Sequence, residues 1–313
     1  MEFGAFFVGQ RPQLHEQYDD EHKVNPNPVS RTDVEVYEDI LKGAELAEEL
    51  GFDSVWIAEH AFSEHSIISS PHSLLAAIAA RTKRVKIGVA CTIVPWHAPL
   101  RLAQDLATID IISGGRLVVG VGRGYQKREF DVYGIDIAES RDRFVEGMDI
   151  AIKAWTEERF SYNGKFFSFP EVMVIPKPVQ KPYPPIWIGG QSKPAIRRAA
   201  QIGDCWHPVG AIPAAPLEPE ELAENLVLLH RYAEKAGRNP SKIEVSVKAP
   251  LYDAGDSTGP RRRFSGSPDE VRQDVQTYAD VGVTHLIFDF RTGEPKHTED
   301  RMARFADEVM AVT

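Results

Sequence analysis

Cysteine is nearly absent from the sequence. Cys91 and Cys205 are the two cysteines in 313 residues, and each lies inside an apolar stretch. They share no metal-type spacing, and so few cysteines make a disulfide framework improbable. We therefore expect a protein of a reducing compartment.

Excess positive charge and long apolar runs are also lacking. Acidic residues outnumber basic ones by 46 to 36, and the formal net charge is −10. This acidity argues against nucleic acid or an anionic membrane surface as a partner. No apolar run approaches the roughly 20 residues of a membrane-spanning helix. The opening MEFGAFFVGQ has an acid where a signal peptide carries positive charge, so a cytoplasmic location is expected.

Short apolar runs alternate with longer helical patterns along almost the whole sequence. Strands are predicted at 3–8, 54–58, 85–91, 116–122, 185–190, 204–208, 243–249 and 285–290. Helices are predicted at 32–50, 71–80, 99–112, up to Trp155, 193–202, 219–236, 268–281 and 298–311. Alternation of this kind predicts parallel strands joined by right-handed crossovers. About eight units favour a single-domain (β/α)₈ TIM barrel over residues 1–313, with an open sheet as the alternative.

Two local signals refine this interpretation. Asp33 is placed to cap the first helix, and Gly51 to end it. Asn163-Gly164, between aromatic and β-prone runs, is a strong hairpin signal. We expect a hairpin insertion around residues 160–180.

The second predicted strand ends in acidic and imidazole side chains. Glu59 and His60 follow SVWIA directly, with Trp56 and Phe62 close by. Active sites of such barrels lie at the carboxyl ends of the strands, which makes His60 a candidate catalytic residue. The alternative is a histidine that bonds a neighbouring carbonyl and a glutamate that caps a loop.

A metal site is a further alternative at this strand end. Glu59, His60, Glu64 and His65 are all possible ligands. No helix fixes their spacing and no second cluster completes the set, so no metal is predicted.

Two other strand ends are rich in glycine. The fourth carries Gly120, Gly122 and Gly124 around Arg123, but it lacks the third glycine of a dinucleotide fingerprint. Glycines there would let a ligand approach the backbone, and Arg123 offers a positive fork for a phosphate. The alternative is an ordinary turn with a surface arginine.

The fifth strand end reads IWIGGQSKPAI. Gly189 and Gly190 precede Ser192, and Pro194 marks a helix start. Such a start is a candidate anion site, because its N–H groups and the helix dipole favour negative charge. Ordinary capping is the alternative here.

Cys91 lies at the end of the third predicted strand. It could have a role in a site, and inert packing is the alternative.

Three long stretches resemble the luciferase-like flavin-dependent monooxygenases, in particular the alkanal monooxygenase (bacterial luciferase) branch. They are GFDSVWIAEHAFSEHSIISSP, RLVVGVGRGYQKREFDVYGIDIAESR and PPIWIGGQSKPAIRRAAQIGD. The resemblance covers nearly the whole chain and is strongest over residues 1–205. It implies a (β/α)₈ barrel that binds flavin mononucleotide (FMN) at its carboxyl-terminal mouth.

The resemblance also implies roles for individual residues. His60 falls at the family's catalytic histidine near the flavin ring, and Ala90-Cys91 at a non-proline cis peptide behind that ring. Arg123, Arg141, Gln191 and Ser192 fall at phosphate contacts. The full set of implied cofactor-binding residues is Glu59, Ala90, Cys91, Gly122, Arg123, Arg141, Gly189, Gly190, Gln191 and Ser192. The aromatic candidates for a substrate pocket are Phe6, Trp56, Phe62, Trp96, Tyr125 and Trp206.

The implied reaction has two components. Reduced FMN from a separate reductase reacts with oxygen, and oxygen is transferred to a small apolar organic substrate with His60 as acid or base. Luciferase has a second histidine where this sequence has Ala61, and a reactive cysteine where it has Gly122, which argues against light emission. A homodimer is also implied, through helices near 73–80.

Two other functions stay open. A deazaflavin-dependent oxidoreductase of the same superfamily would transfer hydride, and GVGRG and IGG occur there as well. A flavin-binding protein without turnover is the second alternative.

Overall fold

Eight parallel strands form the centre of the fold. The computed structural model describes residues 1–11, 30–62, 66–212, 215–252, 261–292 and 294–312. The barrel strands are β1 (Glu2–Phe7), β2 (Ser54–Ile57), β3 (Lys86–Val89), β4 (Leu117–Gly122), β5 (Ile186–Gly189), β6 (Cys205–His207), β7 (Glu244–Leu251) and β8 (His285–Asp289). Each pairs in parallel with the next, and β8 pairs with β1. The predicted (β/α)₈ barrel is confirmed.

Helices alternate with these strands and cover the outside of the barrel. They are α1 (Asp33–Glu49), α2 (Pro71–Arg81), α3 (Pro99–Ser113), α4 (Lys127–Val132), α5 (Ser140–Thr156), α6 (Lys193–Ile202), α7 (Pro219–Lys235), α8 (Pro268–Val281) and α9 (Pro295–Glu308). The prediction that Asp33 caps α1 is wrong by one residue. Thr32 is the cap, because its hydroxyl accepts from the N–H of Glu35 while the Glu35 carboxylate accepts from the N–H of Thr32.

The predicted hairpin lies between α5 and β5. Phe160–Asn163 pairs antiparallel with Ser168–Val172, which confirms the insertion. Its turn is fixed by Glu146 of α5, whose carboxylate accepts hydrogen bonds from the N–H groups of Lys165, Phe166 and Phe167. No helix in the described ranges is both long enough and apolar enough to cross a membrane.

Side chains alternate between the two faces of every barrel strand. On β2, Val55 and Ile57 pack outward in the large core under the helices, whereas Trp56 points inward. On β6, Trp206 belongs to the outer core and Cys205 to the inner cluster. This parity, which follows from the two-residue period of a strand, decides which residues can reach the mouth.

Trp56 fills the barrel interior. Its indole lies 4.6 Å from the Trp187 ring and 5.9 Å from the His207 ring, between centroids. A Cβ at Gly88 would come within 2.4 Å of this indole, and a Cβ at Gly120 within 2.1 Å of the Val89 carbonyl. The prediction that Trp56 lines a substrate pocket is therefore wrong, because the side chain is fully buried among neighbouring strands.

Replacing Trp56 by alanine should lower the free energy of unfolding by about 3–5 kcal/mol, because the cavity left between rigid strands cannot collapse. The exposed Tyr125→Ala is the control and should change it by less than about 0.5 kcal/mol. Urea unfolding followed by far-UV circular dichroism measures both. Equal losses in the two variants would contradict this account of the interior.

Candidate active site

His60 lies just beyond the end of β2 and is held by a carboxylate from a distant helix. Its Nδ1 is 3.2 Å from Oε1 of Glu129 on α4. The same oxygen accepts from the N–H of Ala61 at 2.9 Å, and the N–H of His60 donates to the carbonyl of Ile68. The β2 loop and α4 are thus joined at the barrel mouth.

This geometry selects a tautomer of His60. An ionised carboxylate only accepts hydrogen bonds, so Nδ1–H of His60 donates to Glu129 and the lone pair of the neutral ring lies on Nε2. The side-chain Nε2 of Gln126 also lies 3.2 Å from Nδ1, but as a donor it makes no hydrogen bond to a protonated Nδ1. Tyr125 stands edge-on to the imidazole at 6.4 Å between centroids. The arrangement can hold or move one proton at Nε2.

The carboxylate of Glu59 is bound by groups of the protein itself. Its side chain is buried, and Oε1 lies 2.8 Å from Nε2 of His97. Oε2 accepts from the N–H of Ile93. The carboxylate thus anchors the segment that follows β3, and its expected contact with a cofactor stays a prediction.

The pKa of His97 reflects this pairing. Burial lowers it, but the hydrogen bond that His97 donates to Glu59 and the negative charges of Glu59 and Asp105 more than compensate, so the pKa of His97 is raised. His72 lies 5.2 Å away between ring centroids, and burial lowers its pKa to about 4. One histidine of the pair favours the charged form and the other the neutral form.

The peptide bond between Ala90 and Cys91 is cis, as predicted. The thiol occupies the space that a side chain on β5 would need: a Cβ at Gly189 would lie 2.4 Å from Sγ, and one at Gly122 would lie 3.2 Å from the Cβ of Cys91. Burial raises the pKa of Cys91 to about 12, so the thiol stays protonated. Cys91 shapes the mouth and supplies no thiolate.

Three arginines converge on one side of the mouth. Arg123 follows β4, Arg141 lies in the first turn of α5, and both are exposed. Arg198, on α6, is half-buried, and its Nε is buried without a hydrogen-bond partner. Burial and then the charges of Arg123 and Arg141 lower the pKa of Arg198. No ion pair joins these guanidinium groups to a carboxylate of the described chain, so they repel one another.

The start of α6 lies beside this cluster. Ser192 is the N-cap residue and makes no side-chain capping bond, and Gln191 precedes it. The Gly190 N–H donates to the His207 carbonyl, and its own carbonyl accepts from the indole of Trp206 at 2.8 Å. Trp206 was expected to line the substrate pocket, which is wrong: it is fully buried on the helix side of β6 and supports this turn.

Aromatic side chains form a wall near His60. The exposed Phe62 meets Tyr133 edge-on at 5.0 Å, and Tyr133 lies 5.3 Å from Trp96 between centroids. Trp96 in turn packs against Phe130 at 5.6 Å. Of the expected pocket residues, Phe62 and Trp96 both pack against Tyr133. Tyr125 packs against the imidazole of His60.

Two of the four possible metal ligands, Glu59 and His60, lie in the part of the chain that the structure describes. Glu64 and His65 lie outside the described residues, and Glu59 and His60 have separate partners. Within the described ranges, no three His, Cys, Asp or Glu side chains are grouped so that they could hold a metal ion.

A family model described as luciferase-like monooxygenase matches residues 1–259. The chain belongs to this family. Similarity to a solved structure extends over its whole length: a monooxygenase from Streptomyces bottropensis superposes with a TM-score of 0.84 and 27% identity, covering 100% of this chain and 99% of the other.

Two curated relatives carry different activities in their names. The oxygenase component of a flavin-dependent trigonelline monooxygenase from Acinetobacter baylyi is 32% identical over 55% of this chain and 48% of its own length. An F420-dependent glucose-6-phosphate dehydrogenase from Microbacterium testaceum is 28% identical over 87% of this chain and 92% of its own. The chain spans about half the length of the first curated relatives that it matches.

Sequence reasoning missed three charged residues of the mouth: Glu129, Arg198 and Lys248. Gln126 and Glu129 are three residues apart, a spacing that places both on one side of a helix. Lys248 follows Ser246 on the inward face of β7, whereas Val245 and Val247 face outward. That alternation was readable in IEVSVKA. No local signal distinguished Arg198 from its neighbour Arg197.

Replacing Glu59 by glutamine should lower the pKa of His97, because the attractive charge is lost while burial remains. Histidine ring signals followed by NMR against pH measure this, and Glu129→Gln, which alters the partner of His60, is the matched control. The raised folded-state pKa means that the pair stabilises the fold below the unfolded value of about 6.5. The contribution is lost as the pH rises through the folded-state pKa. An unchanged His97 pKa in Glu59→Gln would contradict the assignment.

Proposed function

We propose that this protein is an FMN-dependent monooxygenase that uses reduced FMN and oxygen to oxidise a small organic substrate at the barrel mouth. The observation that carries the proposal is the convergence of Arg123, Arg141 and Arg198 beside the start of α6. Three mutually repelling guanidinium groups are stabilised by a dianion between them, and a phosphate provides one.

The residues present fit the phosphate end of FMN. Arg198 offers a buried Nε–H with no partner, and the start of α6 offers the positive end of the helix dipole. Gly122 and Gly189 lie against Cys91, and a side chain at either position would crowd the Cys91 side chain. Glycine at both positions therefore keeps this part of the mouth open. When bound, reduced FMN would supply the electrons that activate oxygen.

The chain's own groups would then handle protons and water. His60, oriented by Glu129, would accept or return a proton at Nε2 during oxygen transfer, which is the role of a general acid–base. The wall of Phe62, Trp96 and Tyr133 would keep bulk water from the reacting atoms and favour an apolar part of the substrate.

Partners and location belong to this proposal as well. A relative named as an oxygenase component supports a separate reductase that delivers reduced flavin. We further propose one domain over residues 1–313, a homodimer and a cytoplasmic location. The apolar residues of α2 that suggested a dimer contact, Leu74, Leu75, Ile78 and Ala79, are buried within the barrel core itself. They need no second chain, so their apolar character is not in itself evidence for the dimer.

Hydride transfer with a deazaflavin is the second candidate. It is favoured by the F420-dependent dehydrogenase that matches 87% of this chain. A phosphate-bearing deazaflavin would use the same arginines, so the cluster does not decide between the coenzymes. The choice between them requires a binding experiment.

Arg198→Met should weaken the binding of reduced FMN about 10- to 100-fold, the effect of losing one charged hydrogen bond of roughly 1.5–3 kcal/mol. The matched control is Arg197→Met, because Arg197 is exposed and packs against Tyr232 on α7. Anaerobic titrations with reduced FMN and with the deazaflavin coenzyme give both affinities. Preference for the deazaflavin would turn the proposal to hydride transfer, and binding of neither coenzyme would refute both candidates.

His60→Asn should lower the rate of substrate oxidation by about 10²–10⁴-fold while the affinity for reduced FMN is retained. Glu129→Gln should give a smaller loss, because the imidazole keeps its place but loses the charge that orients its proton. Single-turnover oxidation with preloaded reduced FMN separates these effects. Full activity in His60→Asn would remove His60 from the reaction, and absence of turnover in the wild type would favour a flavin-binding protein.

A further inference from the structure

Lys248 is a lysine on the inward face of a barrel strand. It lies in the middle of β7, where its register partner on β8 is Ile287, an inner residue. Its side chain is half-buried, and Nζ stands 4.3 Å from the centroid of the Phe6 ring. The ammonium is therefore at the inner wall of the mouth, above an aromatic face that stabilises it only modestly.

No carboxylate of the described chain forms an ion pair with this ammonium. The charge of Asp289, at the end of β8, favours the ammonium. This carboxylate is engaged by Arg291, however: Oδ2 lies 3.1 Å from Nε, and Oδ1 accepts from the Arg291 N–H at 3.1 Å. Nη1 of Arg291 is buried and has no hydrogen-bond partner within the described ranges. Asp289 thus pairs with Arg291, and Lys248 has no paired carboxylate within the described ranges.

The environment disfavours the charged form of Lys248. Burial is the largest cause, and the charge of Arg291 adds to it, whereas Asp289 and Cys91 act in the opposite direction. The pKa of Lys248 is lowered to about 8 as a result. Lys248 in turn contributes, after burial, to lowering the pKa of His207 on β6 to about 3. An anion beside the ammonium would favour its charged form and offset the charge of Arg291.

This pair and the arginine cluster lie on different sides of the mouth. Arg123 follows β4 and Arg291 follows β8, and three strands lie between β4 and β8 in either direction around the eight-stranded barrel. A coenzyme with its phosphate at the arginines would extend from there toward the barrel axis. Lys248 and Arg291 would then lie beyond its ring, at the substrate end.

We propose that Lys248 and Arg291 form a subsite for a carboxylate of the substrate, so that the protein acts on organic acids. The carboxylate would accept one hydrogen bond from Nζ of Lys248 and one from Nη1 of Arg291, which supplies the partner that each donor lacks. The ring of Phe6 beneath the ammonium favours a flat apolar group next to that carboxylate. The inference rests on the proposed function only in calling this ligand the substrate.

Benzoate and its neutral isostere benzamide test the subsite in the full-length protein. Isothermal titration, with and without FMN, compares the wild type with Lys248→Met, Lys248→Arg and Arg198→Met. We expect Lys248→Met to raise the Kd for benzoate by at least about tenfold, the loss of one charge-assisted hydrogen bond, with no change for benzamide. Arg198→Met should leave benzoate binding unchanged, which separates this subsite from the phosphate site.

The pH dependence provides a second readout. Benzoate binding needs the charged ammonium, so the wild-type affinity should fall as the pH rises through about 8. Lys248→Arg should retain affinity to higher pH, because a guanidinium stays protonated. Loss of benzoate binding at the same pH in both proteins would overturn the assignment to Lys248.

The remaining outcomes distinguish the two proposals. If Lys248→Met leaves the Kd for benzoate unchanged while reduced FMN binds normally, the subsite is refuted and the proposed function stands. If the wild type binds no FMN but benzoate binding depends on Lys248, the function fails and the subsite stands. If Lys248→Met weakens reduced FMN and leaves the benzoate Kd unaltered, the ammonium serves the coenzyme ring and the carboxylate subsite is refuted.

Discussion

The packing of the Trp56 indole against two glycines fills the barrel interior and thereby determines where a ligand can bind. A closed eight-stranded barrel has just enough interior for side chains, and one indole needs small neighbours. Gly88 and Gly120 provide that space, since a Cβ at either would meet the Trp56 ring or a strand carbonyl. With the interior filled by Trp56, Trp187 and His207, a ligand is left with the carboxyl-terminal mouth, where the reactive side chains are found.

Although the chain carries a net negative charge, the charged groups without a protein partner at the barrel mouth are positive. Glu59 is neutralised by His97, Glu129 is engaged by His60 and Ala61, and Asp289 by Arg291, so each of these carboxylates is already satisfied by the protein. The arginines beside α6 and the lysine on β7 have no such partner within the described ranges. The carboxylates at the mouth thus hold other protein groups in place, whereas the cationic side chains would be available to bind an anion.

The strands and helices could be read from the sequence because their signals are local. Short apolar runs between helical patterns predicted the eight strands, and Asn163-Gly164 predicted the hairpin. The predictions failed where strand parity mattered: Trp206 is next to two inward residues and itself faces outward. Lys248 was overlooked for the same reason. Glu129 could not have been paired with His60, because their contact joins residues 69 apart through the closure of the barrel.

The charges at the mouth also link ligand binding to stability. Arg198 lowers the stability of the ligand-free fold, since a half-buried guanidinium faces two others without a carboxylate between them. Lys248 does the same across the barrel, and burial with a neighbouring arginine draws its pKa down. An anion bound at either place offsets that cost only in the folded state, and its affinity is therefore a direct gain in stability. The ligand-free protein thus has poorly satisfied cationic groups at two separate positions of the mouth. This is the physical basis for proposing a coenzyme phosphate at Arg198 and a negatively charged substrate at Lys248.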